Sequence, residues 1–320
     1  MMRLRFCLFF ALCSVLALAC PVKAGTIVAW GNDGEGEVGN APKGTGFTTI
    51  VAGYDTAIAL GADGSITAWG DDGSYGLVSN APKGTGFKAA AIDDQENDGY
   101  ALTANGSVVA WGLNDKGQVS NAPTGTGFTA IAAGSFTAYA LSANGSVVAW
   151  GLNASGQVSN APTGTGFTAI AASQYTAYAL AANGSIVAWG DDSEFQVSNA
   201  PKGTGFTAIA ACNGAYALTA NGSIVAWGNG PSGVPTGTGF TAIAAGWIDG
   251  YALAANGSIV GWGSDYQGCL SDAPTGTGFI AVAASSESGY ALTAVPEPSA
   301  IMILFGGLGL VTLRRTARRA

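Results

Sequence analysis

Acid–base chemistry in this chain can rest only on carboxylates, because its 320 residues include no His. That absence excludes Ser-His and Cys-His nucleophile pairs, HExxH zinc sites and an imidazole switch near neutral pH. The paired acids are Asp71-Asp72 and Asp191-Asp192, which would need to face each other across a cavity to act as a glycosidase dyad. Adjacent acids of this kind are more commonly solvated, and sequence spacing gives no distance between them. A second candidate is Asp94-Gln-Glu96-Asn-Asp98-Gly99, which has the alternating acids of a calcium loop, but its twelfth position is Asn105 where such a loop has Glu. The composition therefore leads to the expectation of no cofactor, with Ca²⁺ at Asp94, Glu96 and Asp98 as the weak exception. Cys212 and Cys269 fall in different parts of the chain, so a disulfide between them is geometrically doubtful.

The elements that must position these groups show up as repetition. Trp-Gly recurs at Trp30, Trp69, Trp111, Trp150, Trp189, Trp227 and Trp262, and Gly-Thr-Gly-Phe ends at Phe47, Phe87, Phe128, Phe167, Phe206, Phe240 and Phe279. Tyr-Ala-Leu begins at Tyr100, Tyr139, Tyr178, Tyr216, Tyr251 and Tyr290, with Ile58 in the first copy. From Tyr (or Ile58) to the next Trp is always 11 residues, whereas Trp to Phe takes 17 or 18 except after Trp227, where it takes 13. The constant piece predicts a hairpin around Asp63-Gly64, Asn105-Gly106, Asn144-Gly145, Asn183-Gly184, Asn221-Gly222 or Asn256-Gly257. Such a dipeptide signals a two-residue type I′ turn. Counting outward from Asn144-Gly145 then sets Tyr139 opposite Trp150 and leaves Ala140 and Ala149 on the other face. The apolar run Phe128 to Ala133 supplies a third strand. Only six such turns serve seven repeats, so the last repeat at Tyr290 should be completed by the first strand at Trp30, closing the array and removing its free edges. The Asn-Gly-Ser triplets also match a glycosylation acceptor, but the turn accounts for them.

Ile131 to Leu141 followed by Ala149 to Gln157 resembles the regulator of chromosome condensation repeat, and the resemblance extends over residues 25 to 294. The period of roughly 39 residues and the Ala-Trp-Gly, Gly-Gln, Pro rhythm are still more similar to the family of β-lactamase inhibitory protein II, secreted propellers with short blades. These resemblances imply an all-β fold, a closed seven-bladed β-propeller of three- or four-stranded blades with both termini in one blade. They do not carry a function across. Nucleotide exchange on a nuclear GTPase does not suit an exported domain without Arg, and lactamase inhibition depends on variable loop residues.

The two ends read as processing signals. Residues 1 to 24 run from a basic Met-Met-Arg-Leu-Arg through an apolar stretch to Val22-Lys23-Ala24, the layout of a secretory signal helix. Residues 295 to 320 hold Pro296-Glu297-Pro298, an apolar run from Ile301 to Leu313, and Arg314, Arg315, Arg318 and Arg319. That order resembles a PEP-CTERM sorting tail. The resemblance implies a transmembrane helix held in the membrane while an exosortase cuts at Pro-Glu-Pro, leaving the domain at the cell surface or in the matrix. A plain membrane anchor would have the same orientation, with positive charge inside.

Between these ends lie five Lys, no Arg and 19 acids. Such a balance disfavours nucleic acid, whose phosphates demand cations. Strand direction puts the loop before each Tyr-Ala-Leu and the loop after each Trp-Gly on one face, and the Asn-Gly turns and Gly-Thr-Gly elements on the other. All seven aromatics outside the repeat marks fall in the first set of loops: Tyr54, Tyr75, Phe136, Tyr175, Phe195, Trp247 and Tyr266. So do 17 of the 19 acids. The sequence thus predicts a non-enzymatic binding module. Its loop face takes an extracellular protein, basic in character, through these aromatics and Asp71, Asp72, Asp191 and Asp192. Lectin-like stacking on a matrix polysaccharide is the alternative, and a carboxylate-based hydrolase or lyase the third reading.

Overall fold

The structure, a computed structural model, describes residues 24–93, 95 and 98–294. The expected signal helix and sorting tail, including Pro296, Glu297 and Pro298, and the calcium-loop residues Asp94 and Glu96 lie outside these.

The described chain is all-β, with 21 strands and one three-residue 3₁₀ turn, Tyr266–Gly268. In chain order the strands are β1 (Gly25–Gly31), β2 (Phe47–Ala52), β3 (Thr56–Gly61), β4 (Ile66–Gly70), β5 (Phe87–Ile92), β6 (Asp98–Thr103) and β7 (Val108–Gly112). Then come β8 (Phe128–Gly134), β9 (Thr137–Ser142), β10 (Val147–Gly151), β11 (Phe167–Ala172), β12 (Thr176–Ala181), β13 (Ile186–Gly190) and β14 (Phe206–Ala211). The last are β15 (Gly214–Thr219), β16 (Ile224–Gly228), β17 (Phe240–Ala245), β18 (Asp249–Ala254), β19 (Ile259–Gly263), β20 (Phe279–Ala284) and β21 (Ser288–Ala294).

These strands form five three-stranded sheets and one six-stranded sheet ordered β20-β21-β1-β2-β3-β4. A single residue pair, Gly25 opposite Phe47, joins the two halves of the larger sheet. The first and last strands pair along their whole length, from Gly25 opposite Ala294 to Gly31 opposite Ser288. No sheet closes on itself through hydrogen bonds. Neighbouring sheets instead pack face to face, and Ala52, Ile92, Ala133, Ala172, Ala211, Ala245 and Ala284, one from each first strand of a unit, line one small cavity. The arrangement is consistent with a β-propeller.

The hairpin differs from the sequence expectation by one residue. Ser142 N–H donates to Ser146 O and Gly145 N–H to Ser142 O, so Ala143, Asn144 and Gly145 form a three-residue loop. Only Gly145 takes a positive φ, +78°. This is a type I turn followed by a glycine bulge, the other loop that Asn-Gly serves. Trp150 therefore stands opposite Ala138 and Tyr139 opposite Ala149, which puts Tyr and Trp of one unit on opposite faces. The expected pair forms between units. Tyr139 meets Trp189 of the next sheet edge to face at 5.6 Å, and five further junctions repeat the contact, from Trp30 on Tyr251 to Tyr216 on Trp262. At the remaining junction Ile58 and Trp111 share one core cluster. Each T-shaped pair contributes about 0.5–1.5 kcal/mol beyond its burial. Alanines facing them, such as Ala177 and Ala179 beside Trp189, let the sheets approach. No fourth strand is present in any described unit.

Candidate functional site

Six of the seven loops that follow a Trp-Gly, all but the one after Trp227, are built on a repeated set of polar contacts. Three residues past the Trp, an Asp or Asn accepts two main-chain N–H groups: Asp72 from Val78 and Ser79, Asn153 from Val158 and Ser159, Asp192 from Val197 and Ser198, Asp265 from Leu270 and Ser271. Further on, a Gln or Glu turns back on its own loop, as where Gln157 Oε1 accepts from Ser155 N–H. The main-chain carbonyl at this place in the loop, which Leu77 and Cys269 occupy in two of the units, receives the indole N–H of the next unit. Trp189 donates to Gln157, and five equivalents run from Trp69 on Glu37 to Trp30 on Cys269, all at 2.8–3.0 Å. Sequence reasoning missed these residues, although a Gln at fixed spacing from Trp was a signal for them.

The loop aromatics sort into two groups. Tyr54, Tyr75, Tyr175, Phe195 and Tyr266 are exposed, and Phe136 and Trp247 are half-buried. Tyr54 and Trp247 come together on a cavity of about 20 Å³ at the loop end of the alanine-lined axis, with Cys212, Ser285 and Ser286. Hydrogen bonds link these inner loops to one another: Ser286 N–H to Tyr54 O, Trp247 N–H to Ser285 O and Asn213 Nδ2 to Trp247 O. Tyr75, Phe195 and Tyr266 stand instead on loops that follow a Trp-Gly. Phe195 is the most exposed aromatic at 63% and holds φ at +60°, where Gly156 in the matching loop holds +78°. An aromatic in the left-handed region costs about 1–2 kcal/mol. A larger cavity of about 520 Å³ opens at the opposite, turn end, between Leu218, Asn221, Phe240, Leu253, Phe279 and Ile280.

Of the paired acids, Asp72 and Asp192 serve the loop caps just described, and hydrogen bonds from Ser79 and Ser198 N–H hold their carboxyls below the usual range. Asp71 accepts from Gly73 N–H, and Asp191 pairs with the Ser193 hydroxyl. The strongest local fields lie elsewhere. Burial, then the neighbouring Glu37, push Asp55 up, with Glu287 and Asp71 adding to the effect. Asn32 Nδ2 bridges Glu37 Oε1 and Glu287 Oε2 at 3.3 and 3.2 Å.

Two further acids replace a hydroxyl. At the start of the second strand of a unit, Thr56, Thr137, Thr176 or Ser288 donates to the carbonyl two residues past the Trp-Gly tryptophan of its own sheet, 2.7–3.2 Å away. Asp98 and Asp249 occupy that position, fully buried. Burial first, then Asp93, raises Asp98 to about 8, and burial raises Asp249 to about 7. Asp93 Oδ1 accepts the Asp98 N–H at 3.3 Å. No group of three potential metal ligands occurs among the described residues. Cys212 and Cys269 are both unoxidised, and burial pushes the Cys269 thiol up to about 12, far from a reactive thiolate. No described helix is long and apolar enough to cross a membrane.

Comparison with known proteins agrees with this architecture. The model of the regulator of chromosome condensation (RCC1) repeat matches residues 128–157. Among solved structures, Prp20p of Saccharomyces cerevisiae is similar with a TM-score of 0.68 at 18% identity, over 91% of this chain and 95% of that one. Human WBSCR16 gives 0.67 at 14%, over 84% and 98%. The ectodomain of the Physcomitrella patens receptor kinase CR4 gives 0.60 at 24%, over 75% and 68%. At these identities the likeness is one of fold. The Prp20p structure was described with that protein's binding to Gsp1p and histones. No curated protein matches the sequence.

Proposed function

We propose that the chain is an exported, non-enzymatic seven-bladed propeller that binds a protein through its loop face. One observation carries this reading: five exposed aromatics and nearly all the acids share the loops of one face, while the opposite face keeps regular turns. Solubility alone would spread charge over both faces, whereas exposed aromatics ringed by one sign of charge suit a partner of opposite sign. Export rests on the basic and apolar leader and on the Pro-Glu-Pro, apolar and Arg-rich tail, which makes an exosortase the processing partner and the cell surface or matrix the destination.

The test is capture of partners from the exported fraction by wild type and by a Tyr54→Ala/Tyr175→Ala variant. Loss of about tenfold or more in recovery, with binding that weakens steeply between low and high salt, is the expected result. Equal recovery by both proteins would count against the loop face. Recovery indifferent to salt and competed by polysaccharide would favour lectin-like stacking instead.

A further inference from the structure

One junction departs from the others. The connection from Trp227 to Phe240 is four or five residues shorter than its counterparts, and the missing stretch is the one that supplies the acceptor carbonyl. At the preceding junction Trp227 Nε1 and Tyr178 Oη converge on Gln196 O, at 3.0 and 3.5 Å. At the short connection the corresponding Trp262 Nε1 and Tyr216 Oη, 3% and 0% exposed, have no such carbonyl within hydrogen-bond reach. Burying donors without that carbonyl is costly, and every other Trp of the repeat marks donates its indole N–H to one.

The surroundings of this strap, residues 228 to 234, are equally distinctive. A Cβ placed on Gly230 would lie 2.8 Å from Tyr216 Oη, so the strap itself covers the donors. On one side it meets Gln196, whose loop carries Phe195, and on the other it meets Gly263, whose loop carries Tyr266. Phe195 and Tyr266 are the two most exposed aromatics, at 63% and 52%. Phe195 and Gln267, on these same two loops, are two of the three non-glycine residues with positive φ among those described. Strained backbone and exposed rings on both sides of buried donors that lack their carbonyl are separate observations that meet at one place.

We propose that this gap in the rim docks a loop of a basic protein partner, whose main-chain carbonyl takes the place of the missing one. The strap turns aside on Gly228 and Gly233, both already in left-handed conformations, and the incoming carbonyl accepts from Trp262 Nε1 and Tyr216 Oη. Phe195 and Tyr266 close on the inserted loop from either side. Lys or Arg residues flanking that carbonyl meet Asp191, Glu194 and Asp265. The proposal rests on the protein-binding reading and gives that reading its central contact.

The test needs no natural partner. The blocked peptide acetyl-Lys-Gly-Lys-amide is titrated into the uniformly ¹⁵N-labelled chain while the eight indole N–H resonances are followed. Trp262 alone is expected to shift saturably, and Phe195→Ala or Tyr266→Ala to weaken the effect about tenfold. Replacing residues 229–236 by the sequence of residues 152–163 restores the regular loop. In that graft the Trp262 indole should move downfield without peptide and stop responding to it. No shift, equal shifts at several indoles, or an undiminished response in Phe195→Ala and Tyr266→Ala would each overturn the proposal. Those results would leave capture through Tyr54 and Tyr175 unaffected, so the two readings fail separately.

Discussion

The β8–β10/β11–β13 junction and the β14–β16/β17–β19 junction use the same aromatic pair and differ in what that pair can donate to. Tyr139 and Trp189 sit 5.6 Å apart with the indole N–H satisfied by Gln157 O, while Tyr216 and Trp262 sit 5.3 Å apart without such a carbonyl. Ring geometry is thus kept where the hydrogen bond is lost. Apolar packing between sheets sets the spacing of the units, and the polar contact is a separable addition to it.

The largest expected effect tests the shared part. Trp189→Ala removes a ring buried between two sheets and should cost about 3–5 kcal/mol in urea unfolding. A loss below about 1 kcal/mol would mean that the junction is not held by its aromatic pair. The next effect isolates the difference. Trp189→Phe strands the Gln157 carbonyl and Trp262→Phe strands nothing, so the first should be more destabilising by about 1–2 kcal/mol. Equal losses would erase the distinction between the junctions. The smallest effect concerns the buried acids. Asp98 and Asp249 hold protons to about 8 and 7 in the fold, against 3.8 ordinarily. The unfolded chain releases those protons near pH 4, so stability is fully present below that pH and erodes as pH rises toward 8. Asp98→Thr restores the hydroxyl found in sister repeats and should raise Tm by a few degrees at pH 8.5 and by less at pH 5. A gain that does not depend on pH would show that Asp98 is ionised in the fold.

Much of this architecture could be read from residue spacing. The constant interval of 11 from Tyr to Trp marked the hairpin, the count of turns foretold that β1 and β21 pair, and strand direction sorted the loops by face. Register was misread because Asn-Gly serves two turns that differ by one residue, and that one residue moved every Tyr–Trp contact from within a unit to between units. The acceptor carbonyls were illegible for another reason. Trp189 and Gln157 are 32 positions apart and their partnership exists only across a packed junction. The 13-residue interval after Trp227 was visible in the sequence, but its consequence, two buried donors, required the neighbouring sheets to be in place. Asp72 and Asp192 looked like free surface charge until their main-chain partners could be seen.

The seven-residue pairing of β1 with β21 brings Gly25 opposite Ala294. The two strands are about as far apart in the chain as any two can be, so their association carries the largest loop-closure penalty in the fold and belongs late in folding. Until then the sheet edges at both ends stay open. The same adjacency permits circular permutation: a peptide link between the two ends, with new termini cut at Asn144-Gly145, would turn that late, distant pairing into a local hairpin. The cut hands the same closure penalty to β9 and β10, so refolding should keep its pace while the last strands to pair change from β1 and β21 to β9 and β10.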